Sequence, residues 1–223
     1  MNKLTISRYN IKQHGKQVQA LMEKYLIPTY LKRLGIKESE RSNYIDVEDC
    51  LDPKSVENPK FEDVSYVAVE EKGRIVACGM NYFITKSDFQ LNFIDYVKQG
   101  AENMDSPASL RHFAEHRYEV CHDLVNLFDE YNLEKLFYIE SGIVVPEYRR
   151  KKLTMELFSK ACHRFGEEHG ILWEGMLRNQ LVESGEVNPE LRIPGIDGFI
   201  SLKKILSHDD YFVNVAFRPP KKP

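Results

Sequence analysis

The feature that most constrains this chain is the stretch 136–170, where an apolar β-branched run, a proline stop, a cation cluster and an amphipathic segment follow one another without interruption. Residues 137–145 read as a strand, halted by Pro146 and opening into a turn. From Leu153 the apolar side chains Leu153, Leu157, Ala161 and Phe165 recur at helical spacing, with Phe158 and Cys162 beside them, and Gly170 is placed as a helix stop. Between strand and helix stands Tyr148 followed by Arg149, Arg150, Lys151 and Lys152, where the first helical amides have no partners. A helix start favours anions through those amides and its dipole, and the cations add to it, so the pattern points to a phosphate-bearing ligand. A solvated basic turn is the other reading of the same residues.

The elements around this core follow from the same signals. Residues 4–9 alternate as a first strand, and Val18, Leu21, Met22 and Tyr25 share one helical face until Pro28 breaks or bends it, with a second segment over Tyr30, Leu31 and Leu34. Residues 65–70 and 74–85 form two β-rich arms around a turn containing Gly73, the clearest hairpin in the chain. Residues 86–107 read as polar and irregular, wandering over the surface with a short helix at 93–96. Phe113, Tyr118, Cys121, Leu124, Val125 and Phe128 put a helix over 110–131, closed by Asn132. Residues 171–177 supply a further apolar run, so strand, helix and strand succeed each other as a βαβ unit. The segment 179–194 is polar and left without structure, and the chain closes with a hairpin that opens at Gly198-Phe199, turns at Asp209-Asp210-Tyr211 and returns over 213–217.

Length and composition bound the rest. A chain of 223 residues suits one domain with an ample core, and 42% apolar with 29% charged residues describes a soluble globular protein. A net charge of −3 gives no general reason to expect nucleic acid or membrane binding, so the basic turn is a local feature. No apolar run approaches the ~20 residues of a membrane span and the first residues lack a signal-peptide core, which points to the cytoplasm. Cys50, Cys78, Cys121 and Cys162 are widely spaced and read as reduced thiols.

Two constellations carry chemistry. Within the central strand, period-two alternation places Tyr138, Glu140, Gly142 and Val144 on one face. A carboxylate inside an apolar strand is costly unless it borders a polar site, which makes Glu140 the most informative acid; a Glu paired with Lys or Arg at the core's edge is the alternative. His112, Glu115 and His116 spell H-x-x-E-H, the arrangement of inverted zinc peptidases, but nothing nearby supplies a further ligand and a polar helix face is preferred.

The stretch from Val144 through Pro146, Tyr148 and Arg149 into the helix resembles the acetyl-CoA signature of the GCN5-related N-acetyltransferase superfamily, Arg/Gln-x-x-Gly-x-Gly/Ala. Arg149 matches the first position, while Lys152 and Thr154 stand where the family has Gly and Gly/Ala. The element order and the tail from Gly198-Phe199 to Phe217-Arg218-Pro219 extend the likeness over nearly the whole chain, towards the invertebrate arylalkylamine N-acetyltransferases. Two departures from that branch are visible: Thr29-Tyr30-Leu31 replaces its acidic pair, and Asn179-Gln180-Leu181 stands where it has a serine-rich segment. The resemblance implies a single α/β domain over 1–223 with a mixed, largely antiparallel splayed sheet flanked by helices. It implies that acetyl-CoA lies in the splay as co-substrate, with its pantetheine amides on Ile143 and Val144. The phosphates would then meet Arg149, Arg150, Lys151, Lys152, Leu153 and Thr154, and Glu140 would serve as base for a small primary amine, an arylalkylamine or a polyamine. A degenerate, non-catalytic binding protein of the same fold is the alternative that the altered glycines suggest.

Overall fold

The computed structural model describes residues 3–178, 192–206 and 211–221. One seven-stranded sheet runs through it in the order β1-β2-β3-β4-β5-β7-β6. The strands are β1 (Leu4–Arg8), β2 (Tyr66–Glu70), β3 (Ile75–Thr85), β4 (Lys135–Val144), β5 (Ile171–Arg178), β6 (Ile200–Leu206) and β7 (Tyr211–Arg218). Every neighbouring pair is antiparallel except β4 and β5, which run parallel because α7 (Leu153–Ala161) crosses between them. The mixed, largely antiparallel sheet expected from the sequence is therefore present.

The β4–β5 pairing decides where a ligand can go. It is confined to Phe137↔Ile171, Tyr138↔Leu172 and Ile139↔Trp173. Beyond those residues β4 stays on β3 as far as Val144↔Ala77, and β5 stays on β7 as far as Arg178↔Tyr211, but the two strands no longer meet. The sheet splays at its centre.

A second irregularity sits at the same place. Ser141 faces Met80 and Ile139 faces Asn81, which leaves Glu140 as an extra residue in β4 with no partner across the ladder. The bulge inverts the alternation of side chains. Phe137 packs on the α7 side, its ring 6.4 Å from Phe165, and a Cβ at Gly142 would meet Thr154 and Phe158 of α7 on that same side. Tyr138 points the other way, towards Tyr82 and Phe93. The period-two grouping of Tyr138 with Gly142 and Val144 is thus corrected: one inserted residue moves everything after it to the opposite face.

The helices follow the apolar pattern with two corrections. Asn10 caps α1 (Ile11–Leu21), accepting from the Gln13 amide, and a π-helical turn at Met22–Leu26 leads into α2 (Ile27–Leu34). Pro28 falls just after the π-helical turn, and the helical run continues through it from Ile11 to Leu34, so the second segment follows without a break in the helix. Residues 86–102 are helical rather than irregular, forming α3 (Lys86–Phe89), a π-helical turn and α4 (Tyr96–Glu102), and only 103–107 make an irregular turn. Phe89, Ile94 and Val97 make one buried stripe there, and Phe89 stacks on Phe93 at 4.9 Å, so apolar spacing prevails over a polar average. The helix expected over 110–131 is divided into α5 (Ala108–Cys121) and α6 (Asn126–Glu130) by a turn that brings Leu124, Leu127 and Phe128 into the core reached by Val120.

Most of the polar segment 179–194 and the turn at Asp209-Asp210 lie outside the described residues, as does Asn179-Gln180-Leu181. The four cysteines are buried and unpaired. No helix among the described residues is long and apolar enough to cross a membrane.

Candidate active site

Divergence of β4 from β5 opens a cleft of about 260 Å³, walled by Gly142 of β4, Thr154 and Phe158 of α7, Trp173 of β5 and Tyr30 of α2. The hydrogen-bonding direction of β4 follows from its register. The Val145 amide donates to the Val76 carbonyl at 3.0 Å, and in an antiparallel ladder alternate residues turn the same way. Ile143 therefore points its backbone at β3, while Gly142 and Val144 turn theirs to the cleft. Of the two residues expected to pair with an added strand, Val144 faces the opening, and Gly142 takes the place of Ile143, whose side chain is buried.

At the end of β4 the chain makes a 3₁₀ turn, Pro146–Tyr148, and starts α7 at Leu153. Tyr148 anchors the turn by donating to Glu70 at 2.7 Å, and the Lys151 ammonium lies 4.3 Å from the Tyr148 ring centre. Arg149 donates through Nε to the Val144 carbonyl at 3.3 Å, so it borders the cleft-facing edge. Arg150 and Lys152 hold left-handed backbone, φ 63° and 58°, conformations that ordinarily favour glycine. Lys152 thus holds a backbone conformation open to glycine while placing a cation at the N-cap of α7. Thr154 is accommodated differently: a Cβ at Gly142 would lie 2.5 Å from the Thr154 methyl, so the missing side chain on the strand makes room for the extra one on the helix.

Beneath the cleft the protein buries charge. Arg117 of α5, 5% exposed, stands between Glu48 and Glu174: its Nη1 donates to Glu174 at 2.6 Å, and its Nε lies 3.1 Å from a Glu48 oxygen. Burial opposes the charge on Arg117, but Glu174 and Glu48 outweigh it and hold the guanidinium ionised. Burial also raises the Glu48 carboxyl, against the pull of Arg117, and the same burial with Glu48 nearby keeps the Tyr30 hydroxyl protonated. Glu140 is half-buried and borders both this cleft and a second cavity on its other side. Burial pushes its carboxyl up to about 7; Lys60 and Arg117 oppose the shift while Glu48 and Asp49 add to it. A carboxyl poised there is half ionised near neutrality, the condition in which a base is most useful.

The residues singled out by sequence therefore fall at three places: Ile143 and Val144 at the end of β4, Arg149–Thr154 around the start of α7, and Glu140 at the floor. Arg117, Glu48, Glu174 and Lys60 were missed. Arg117 left a signal, since it lies four residues after Phe113 and four before Cys121, inside an apolar stripe. Glu174 left another, being a lone acid in the run ILWEGML. His112 is exposed and 3.7 Å from Glu115, while His116 is half-buried with its basicity lowered by burial. Among the described residues no three His, Cys, Asp or Glu side chains converge as a metal site.

A sheet splayed after one parallel pairing, a bulge at the splay and a crossing helix whose N-terminus meets it define an acetyltransferase architecture, and known structures agree. Arylalkylamine N-acetyltransferase 2 from Aedes aegypti matches with a TM-score of 0.62 at 14% identity, over 98% of this chain and 99% of that one. The Drosophila melanogaster polyamine N acetyltransferase, which forms N acetylagmatine, matches with a TM-score of 0.61 at 11% identity, over 96% and 98%. No family profile and no curated protein sequence matches the chain. The fold is that of the GCN5-related N-acetyltransferases.

Proposed function

We propose that this protein, as one domain over residues 1–223, transfers the acetyl group of acetyl-CoA to a small primary amine, an arylalkylamine or a polyamine. The observation that carries the reading is the juxtaposition at β4. Strand backbone turned to the cleft at Gly142 and Val144, the latter's carbonyl accepting from Arg149, lies between a cationic helix start and a carboxyl with a pKa of about 7. Acetyl-CoA supplies an activated acyl carbon. This chain supplies an edge on which pantetheine amides add like a short strand, and a turn from Arg149 to Thr154 whose amides and cations suit its phosphates.

The amine attacks the thioester carbon, a C–N bond forms, the C–S bond breaks and the CoA thiol leaves. The attacking nitrogen must shed a proton, and at pH 7 only about one in a thousand alkylamines with a pKa near 10 is neutral. On this reading Glu140 accepts that proton directly or through one water, a contribution worth roughly 10²–10⁴-fold. The mutual accommodation of Gly142 and Thr154, and the glycine-like backbone of Lys152, support retention of the cofactor turn despite its altered residues.

One observation favours a binding-only reading: the Thr154 methyl narrows the cleft where the family carries Gly or Ala. Calorimetry with CoA and acetyl-CoA, followed by an assay of thiol release with a panel of primary amines, separates the readings. Firm CoA binding with amine-dependent thiol release is expected. Binding without release from any amine would leave a degenerate binding protein, and no binding would remove both.

A further inference from the structure

Beyond Glu140 lies a second cavity of about 440 Å³ that shares Glu48, Arg117 and Glu140 with the cleft, so the two spaces meet at the same carboxyl. Its wall carries five carboxylates, from Asp46, Glu48, Asp49, Asp88 and Glu140, against two cations, Lys60 and Arg117. The aromatic rings of Tyr82, Phe93 and Tyr96 interleave with them. Two further details show what this wall accepts. The chain's own Lys60 ammonium is held in it, 2.7 Å from Asp49 and 4.3 Å from the Tyr82 ring centre, an arrangement that suits any alkylammonium. Glu48, only 9% exposed, is ion-paired with Arg117 at 3.1 Å through Oε2, an atom that receives no aligned hydrogen bond and so can accept a further donor.

On the acetyl-transfer reading, the reacting nitrogen gives up its charge at Glu140. An excess of carboxylates beyond that point therefore does nothing for the transition state of a monoamine, and covering them with an aryl ring would cost desolvation without return. It does serve an acceptor that keeps a second charge. We infer that the second cavity seats the distal cation of the acceptor, which makes the substrate class an aliphatic amine with at least two cationic nitrogens. Asp46, Asp49 and Asp88 are then its specificity-determining residues.

The test compares matched probes by calorimetry, each with and without CoA: diaminobutane, butylamine and phenethylamine. Diaminobutane is expected to bind about 10-fold or more tightly than either monoamine, a preference that weakens with added salt. In an Asp46→Asn/Asp49→Asn/Asp88→Asn variant that preference should fall to within about twofold while CoA affinity is unchanged, which also verifies folding. Equal affinities of the wild-type protein for the three amines, or an undiminished preference in the variant, would overturn the inference and leave acetyl transfer standing. Loss of the transfer reading shows up separately, as failure to bind CoA.

Discussion

The two flanks of the splay handle charge by opposite means. At the start of α7 four consecutive cations stand on an exposed turn, with water able to screen each of them and two held in left-handed backbone. Below β4 a single guanidinium, Arg117, is enclosed between Glu48 and Glu174 with Glu140 beyond. Removing an exposed charge subtracts a modest, salt-dependent contribution, whereas removing a buried partner strands the charges it served. The first region is suited to graded attraction of anions, and the second to shifting the titration of the carboxyl it encloses.

That contrast sets the order of the expected effects. Arg117→Met leaves the buried Glu48 and the largely buried Glu174 without their cation and should cost about 3–5 kcal/mol of stability, read by urea denaturation at pH 7. A loss no larger than that of a surface substitution would place the pair in solvent and undo the contrast. Gly142→Ala drives a methyl into Thr154 and Phe158 and should cost roughly 1–3 kcal/mol in the same assay, with part of it recovered when Thr154→Ala is added. Additive costs in the double variant would show that the two residues do not accommodate each other.

On the exposed flank, Arg149→Ala should weaken CoA binding about 10-fold, less at high salt, by calorimetry on folded protein. Unchanged affinity would take the turn out of the site. The smallest effect is expected from Lys152→Gly, because φ 58° already follows a glycine path. Backbone relief should add up to about 1 kcal/mol of stability, and CoA affinity should fall only severalfold through the lost charge. Tighter CoA binding by this variant would show that Lys152 obstructs the phosphates.

The sequence carried the strand, turn and helix at 136–170 because each has its own local signature: β-branched residues, a proline, and apolar spacing. It also carried the splayed sheet, through resemblance. The bulge had no such signature, since one unpaired residue at Glu140 is visible only when β3 is laid beside it, and the face of Gly142 and the direction of Ile143 were misread with it. Residues 86–102 were misread because their polar average hid the stripe of Phe89, Ile94 and Val97. The Glu48–Arg117–Glu174 cluster joins residues distant in sequence, so the chain showed a misplaced Arg and a misplaced Glu but not that they meet.

Glu140 links the two flanks, and pH distinguishes its role from a structural one. Its carboxyl is raised above its unfolded value, so the folded state binds the extra proton and Glu140 weakens folding as pH rises from about 4.5 to about 7. Glu140→Gln should therefore melt higher than wild type at pH 8 and close to it at pH 4. On the proposed role catalysis runs the other way, because a base works only when ionised. The decisive measurement is kcat against pH for wild type and Glu140→Gln on one accepted amine. The wild-type rate should rise through a break near 7, and the variant should turn over about 10²-fold more slowly at pH 7, lack that break and recover as the free amine increases. A variant with wild-type turnover and the same break would contradict Glu140 as the base.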